Sequence, residues 1–124
     1  MISWARKMSV DLMQQAKDFR QVYSLLDGPM TRLAQKKLID EEWSEFHEAF
    51  HFKEKEEQLK ELGDLVYVCF QYAASQGWDL NETMRRIHES NLSKLDDNGK
   101  PIYRADGKVM KGPNYKPPML KDLC

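Results

Sequence analysis

The chain has 124 residues, with 19 lysines and arginines against 20 aspartates and glutamates and a formal net charge of -1. That length suits one domain with a single buried core. The near-neutral balance excludes a general binder of nucleic acid or of anionic membrane, both of which call for a marked basic excess.

Taken in chain order, Ser9 can cap a first helix running to about Leu26, with Val10, Leu12, Met13, Ala16, Phe19, Val22, Tyr23 and Leu26 at near-helical spacing. Gly28 and Pro29 end it. Thr31 is a cap for a second helix over residues 32 to about 53, and a third follows over about 55–76, stopped by Gly77. Asn81 caps a fourth that reaches about Leu95. Turn chemistry at Asn98-Gly99 and Asp106-Gly107 then brackets short extended pieces, of which 102–104 and 108–110 can pair as a hairpin. Pro113, Pro117 and Pro118 forbid regular structure beyond, so the end of the chain reads as an ordered arm anchored by Tyr115 and Met119. The expectation is an all-α, four- to five-helix bundle-like single domain over 1–124. Its helical core is about 9–95, and a short extended C-terminal arm covers about 96–124.

Charge is unevenly spread along these elements. Between Asp40 and Asp64 the net is -7, and from Lys94 to Cys124 it is +3, which fits an acidic centre for metal and a basic tail for phosphate. Within the acidic stretch, Glu42/Glu45 and Glu61/Asp64 are pairs three residues apart, a spacing that projects both acids from one side of a helix. On a wheel with Glu42 at zero, Glu45 falls at about 300° and Phe46 at about 40°. The acids therefore lie in and beside the apolar stripe, where an unpaired carboxylate is costly and a cation removes the cost. Gly63 and Asp64 are poor helix formers placed just before the apolar run 65–70. A glycine there permits close approach, and an aspartate there offers a short oxygen ligand. Oxygen ligands without obligatory sulfur or nitrogen favour Mg²⁺ or Mn²⁺ over zinc.

Glu41-Glu42-Trp43-Ser44-Glu45, fifteen further residues, and then Glu61-Leu62-Gly63-Asp64 resemble the EExxE and ExxD signature of MazG-like all-alpha nucleoside triphosphate pyrophosphohydrolases. That superfamily also includes phosphoribosyl-ATP pyrophosphohydrolases and dimeric dUTPase-like enzymes. The likeness covers roughly residues 33–95. The segment 89–95 and the run 106–115 further resemble compact bacterial and phage members. What the resemblance implies is water attack on the α-phosphorus of a (deoxy)nucleoside triphosphate, giving the monophosphate and pyrophosphate and so controlling a nucleotide pool. Glu42, Glu45, Glu61 and Asp64 would hold Mg²⁺, with Mn²⁺ as substitute, and Glu41 would orient or deprotonate the water. Asn91 and Lys94 are candidate sugar and phosphate ligands from one helix face, with Lys108, Lys111 and Tyr115 added from the arm. dGTP and dUTP are among the leading substrate candidates, and residue type and spacing do not separate purine from pyrimidine. Two alternatives stand beside this: phosphoribosyl-ATP as substrate, against which the long arm weighs, and a non-catalytic helical metal-binding regulatory module. The resemblance also implies a homodimer or homotetramer, as does the third helix, which is apolar on most sides between 65 and 74.

His47-Glu48-Ala49-Phe50-His51 matches the HExxH zinc-protease pattern. On the same wheel His47 and His51 fall at about 140° and 180°, toward the polar side and away from Glu42 and Glu45. The chain is also short for a protease cleft. Cys69 and Cys124 form no disulfide framework and suit a reducing compartment. The N-terminus lacks the apolar core of a signal peptide, and no stretch is long enough to span a bilayer. The expectation is a soluble protein of a bacterial cytoplasm, or of a host cytoplasm if phage-encoded.

Overall fold

A computed structural model of the chain describes residues 10–124. Its helices are α1 (Leu12–Val22), α2 (Pro29–Phe52), α3 (Lys55–Gln76) and α4 (Leu80–Leu92), and a single 3₁₀ turn follows at Lys121–Leu123. Extended pairing among the described residues is limited to one antiparallel bridge, Tyr103 to Val109, so the fold is all-α. No described helix is long and apolar enough to cross a membrane. The chain divides into two compact units, one through Leu80 and one Asn81–Cys124.

In the first unit, α1 is capped by Asp11, whose carboxylate accepts from the amide of Gln14 at 3.0 Å. The expected cap, Ser9, lies outside the described residues. The helix ends at Val22, four residues short of the expected Leu26, because Ser24 adopts φ 51 and closes a Schellman turn. The Leu25 amide donates to the Arg20 carbonyl (2.9 Å) and the Ser24 amide to that of Gln21 (3.2 Å). The largely buried Arg20 side chain then ties down the connection by donating to the Leu26 carbonyl (3.1 Å) and to Asp27 (2.6 Å).

Pro29, expected to help terminate α1, is instead the first residue of α2, where its missing N–H and fixed φ suit a helix start. The second helix therefore begins three residues earlier than a Thr31 cap predicts. Two residues, Lys53 and Glu54, join α2 to α3, an αα-hairpin with a minimal loop. The ends of α3 match expectation at both sides, and Gly77 takes the left-handed conformation (φ 74) that closes it. The core is small. Met13 and Ala16 of α1 meet Phe70 and Ala73 of α3, with Ala74 and Leu80 partly buried against them, and Gln71 donates to the Ala16 carbonyl at 3.4 Å.

Helix α4 begins at Leu80, the last residue of the first unit, and runs on in the second, so Asn81 is a helical residue rather than the expected cap. It stops at Leu92, three residues short of the expected end. The Ser93 amide still reaches the Glu89 and Ser90 carbonyls (3.2 and 3.1 Å), while its hydroxyl donates to Ser90 (2.6 Å). Two tight turns of one design follow. The Gly99 amide donates to Asp96 (3.0 Å) and that of Gly107 to Arg104 (2.8 Å), and both glycines have positive φ. The hairpin expected at 102–104 and 108–110 is realised by that bridge and by the Met110 amide donating to Ile102 (2.7 Å). The arm then docks on α4. Arg86 grips both carboxylate oxygens of Asp122 (2.6 and 3.0 Å) and the Met119 carbonyl (2.8 Å), and Ser90 donates to the Lys116 carbonyl (2.7 Å). Gly112 has no room for a side chain, since a Cβ there would strike the backbone carbonyls of Lys94 and Leu95.

Candidate metal centre

The α2–α3 hairpin carries the two acidic motifs on neighbouring helices. Because Glu42 and Glu45 are one turn apart on α2 and face α3, they converge with Glu61. One carboxylate oxygen from each of the three lies within 4.8 Å of the others. Burial pushes the Glu42 carboxyl above its ordinary value, and the charges of Glu45, Asp64 and Glu61, together with a hydrogen bond to Glu45, push in the same direction. Oε2 of Glu42 and Oε2 of Glu61 are buried and have no hydrogen-bond partner among the described residues. Two orphaned carboxylate oxygens beside a third acid are unfavourable for the protein alone. They are the donor set a hard divalent cation takes, so the residues present fit Mg²⁺ or Mn²⁺.

Asp64 is the fourth acid expected in the cage. It stands close enough for Glu42 to feel its charge, but its Oδ2 is held by Lys60 Nζ at 2.8 Å, with Glu61 at 3.4 Å from the same ammonium. Glu41 is exposed beside the trio on α2.

A cavity of ≈ 340 Å³ opens from the cluster toward the hairpin turn, lined by Glu45, Glu48, Ala49, Lys53, Glu57 and Glu61. Glu48, Lys53 and Glu57 are not among the candidate ligands read from the sequence. The signal was present, because Glu45, Ala49 and Lys53 step along α2 by four residues, and Glu57 precedes Glu61 by four.

The five expected substrate ligands, Asn91, Lys94, Lys108, Lys111 and Tyr115, all belong to the second unit. Asn91 is exposed on α4, whereas Lys94 lies beyond the helix end, so the two do not share a helix face as expected. Lys111 and Tyr115 are brought together, with the ammonium 4.8 Å from the ring centroid. The Lys108 amide donates to Asp106 at 3.2 Å. His47 and His51 are exposed, their rings edge to face at 4.7 Å, and neither belongs to the carboxylate trio. Cys69 and Cys124 are free thiols, and burial raises the pKa of Cys69.

A search of the curated proteins finds no match. A family model described as phosphoribosyl-ATP pyrophosphohydrolase matches residues 14–91, more than half of the chain and the whole of the α2–α3 hairpin.

Proposed function

From the premise that the chain belongs to the phosphoribosyl-ATP pyrophosphohydrolase family, and so is a nucleotide pyrophosphohydrolase acting on an acid anhydride, we propose that its substrate is a (deoxy)nucleoside triphosphate. The products are the monophosphate and pyrophosphate, and dGTP and dUTP are the leading candidates. The observation that carries a hydrolytic site at this hairpin is the trio Glu42, Glu45 and Glu61, with its two buried, unpartnered oxygens. These three would hold Mg²⁺, with Mn²⁺ as substitute, and Asp64 would join them on leaving Lys60. A bound divalent ion neutralises the phosphate chain and lowers the pKa of coordinated water. Glu41, on the same helix as the first two ligands, accepts the proton as water oxygen attacks the α-phosphorus and the bond to the bridging oxygen breaks. Asn91, Lys94, Lys108, Lys111 and Tyr115 are candidate sugar and phosphate ligands on the motif resemblance alone.

Phosphoribosyl-ATP is a second reading, favoured by the family match itself, and it offers the same α–β anhydride. The decisive experiment is a panel of common NTPs and dNTPs together with phosphoribosyl-ATP, assayed for pyrophosphate release with Mg²⁺ and with Mn²⁺. Turnover of a triphosphate is the expected result, turnover of phosphoribosyl-ATP alone assigns the second reading, and silence across the panel overturns both. Glu42→Gln and Glu61→Gln should each lower release by on the order of 10²-fold or more while leaving the helical circular dichroism unchanged.

A further inference from the structure

The cavity beside the carboxylate trio contains a charge that metal binding leaves unused. Among the described residues lining it, Lys53 is the one cation, facing Glu45, Glu48 and Glu57 as well as Glu61. An ammonium in such company ordinarily folds onto a carboxylate, as Lys36 does with Asp40 and Lys60 with Asp64, both at 2.8 Å. Lys53 makes no salt bridge among the described residues. Its backbone is nonetheless fixed. Its amide donates to the Ala49 carbonyl (3.0 Å), its own carbonyl accepts from the Gln58 side chain (2.9 Å), and it terminates α2 in an extended conformation. An exposed lysine whose backbone is anchored at the rim of a cavity, and whose ammonium has no salt bridge among the described residues, is available to an anionic ligand.

The order along α2 gives that ligand a direction. Glu41 comes first, then the ligands Glu42 and Glu45, and Lys53 stands two helical turns past Glu45, about 12 Å further along the axis. Building on the function proposed above, we infer that Lys53 receives the leaving pyrophosphate, so that the phosphate chain runs from the α-phosphorus near Glu41 toward the α2–α3 turn. As the α–β anhydride breaks, negative charge grows on the departing oxygen and spreads over the pyrophosphate. A cation at that end stabilises this charge more than it stabilises the bound substrate.

Lys53→Gln and Lys53→Arg test this on the intact chain, with three measurements on each. These are inhibition by inorganic pyrophosphate with Mg²⁺, the kcat and KM of the best nucleotide, and Mn²⁺ affinity of the substrate-free protein by electron paramagnetic resonance. In Lys53→Gln, pyrophosphate binding should weaken by about tenfold and kcat/KM should fall by about tenfold or more, with Lys53→Arg recovering most of both. Mn²⁺ affinity should hold or rise, because a positive charge has left an acidic cavity. Unchanged pyrophosphate inhibition in Lys53→Gln overturns the inference. So does a parallel loss of Mn²⁺ affinity, which would mark Lys53 as merely structural. Direct titration of Mg²⁺-loaded wild type and Lys53→Gln with inorganic pyrophosphate separates this inference from the one it rests on. A silent nucleotide panel with a difference in pyrophosphate binding removes the nucleotide reading and retains Lys53. An active panel with no difference removes Lys53 alone.

Discussion

Glu42 is half-buried among like charges, and its unpartnered Oε2 makes it a source of instability that a bound cation would relieve. In chelator, Glu42→Gln should therefore melt higher than wild type, by roughly 3–6 °C, and it should lose most of the extra stability that Mg²⁺ confers. Calorimetry with and without Mg²⁺ checks both signs, and a metal-free Glu42→Gln that melts lower than wild type would refute this account of the trio. Ser24 shows the opposite relation between residue and position. Its φ of 51 strains any side chain, while the turn it closes needs that conformation. Ser24→Gly should stabilise the first unit by about 0.5–1 kcal/mol in a thermal melt, the relief of strain being partly offset by a freer unfolded chain. At Gly112 the backbone of residues 94 and 95 leaves no space, so Gly112→Ala should loosen the docked arm, read as faster amide exchange at 115–123.

At the scale of elements, sequence reasoning succeeded where the chain carries explicit punctuation. Gly77 ends α3, the paired Asp106-Gly107 turn makes the small hairpin, and the acidic motifs fall on adjacent helices. It failed where the signal is conformational. Nothing in a serine announces a left-handed residue, so the apolar spacing carries the expected α1 through Ser24 to Leu26. Gly28-Pro29, taken as a stop, is the start of α2. In the sequence Lys53 reads as surface charge beside Lys55 and Lys60, and only the closure of the α2–α3 hairpin sets it at the rim of the cavity. The latch between α4 and the arm was equally invisible, since Arg86 and Asp122 are 36 residues apart and no periodic pattern links them. That latch sets a pH dependence. The guanidinium of Arg86 holds Asp122 below its ordinary value, and Arg85 and Arg86 hold Glu82 down to about 2. Depressed carboxyl pKa values contribute stability that is complete above the unfolded values and is lost as pH falls toward the folded ones. Protection of the arm from proteolysis should thus be full at neutral pH and decline from about pH 4.5 toward 2. Arg86→Gln should abolish the part that Asp122 contributes, while Arg85 still holds Glu82 down.

For the whole molecule, the salient fact is how many large apolar side chains are exposed among the described residues. A groove of ≈ 400 Å³ between α1 and α3 is lined by Leu12, Leu59, Leu62, Val66 and Phe70 around Gly63, and Leu59 and Phe52 are 69% and 79% exposed. Apolar area of this extent on a small chain is what an association surface would present. A homodimer or homotetramer is the expected outcome of sedimentation at micromolar concentration, and a stable active monomer would contradict it. Gly63 gives a sharper reading. A Cβ there meets nothing within the described chain, so Gly63→Ala should raise the melting temperature through helix propensity alone if the groove stays open, and should disrupt assembly if a neighbouring backbone lies against it.

The minimal loop between α2 and α3 bears on how the centre comes into being. Glu42, Glu45 and Glu61 lie within 20 residues of one another, on two helices joined by Lys53 and Glu54 alone. Contacts of such short range form early and at small entropic cost. The cation site should therefore assemble with the hairpin itself, ahead of the rest of the fold. A nascent or partly unfolded chain would already be able to capture metal and be drawn toward the native state by it.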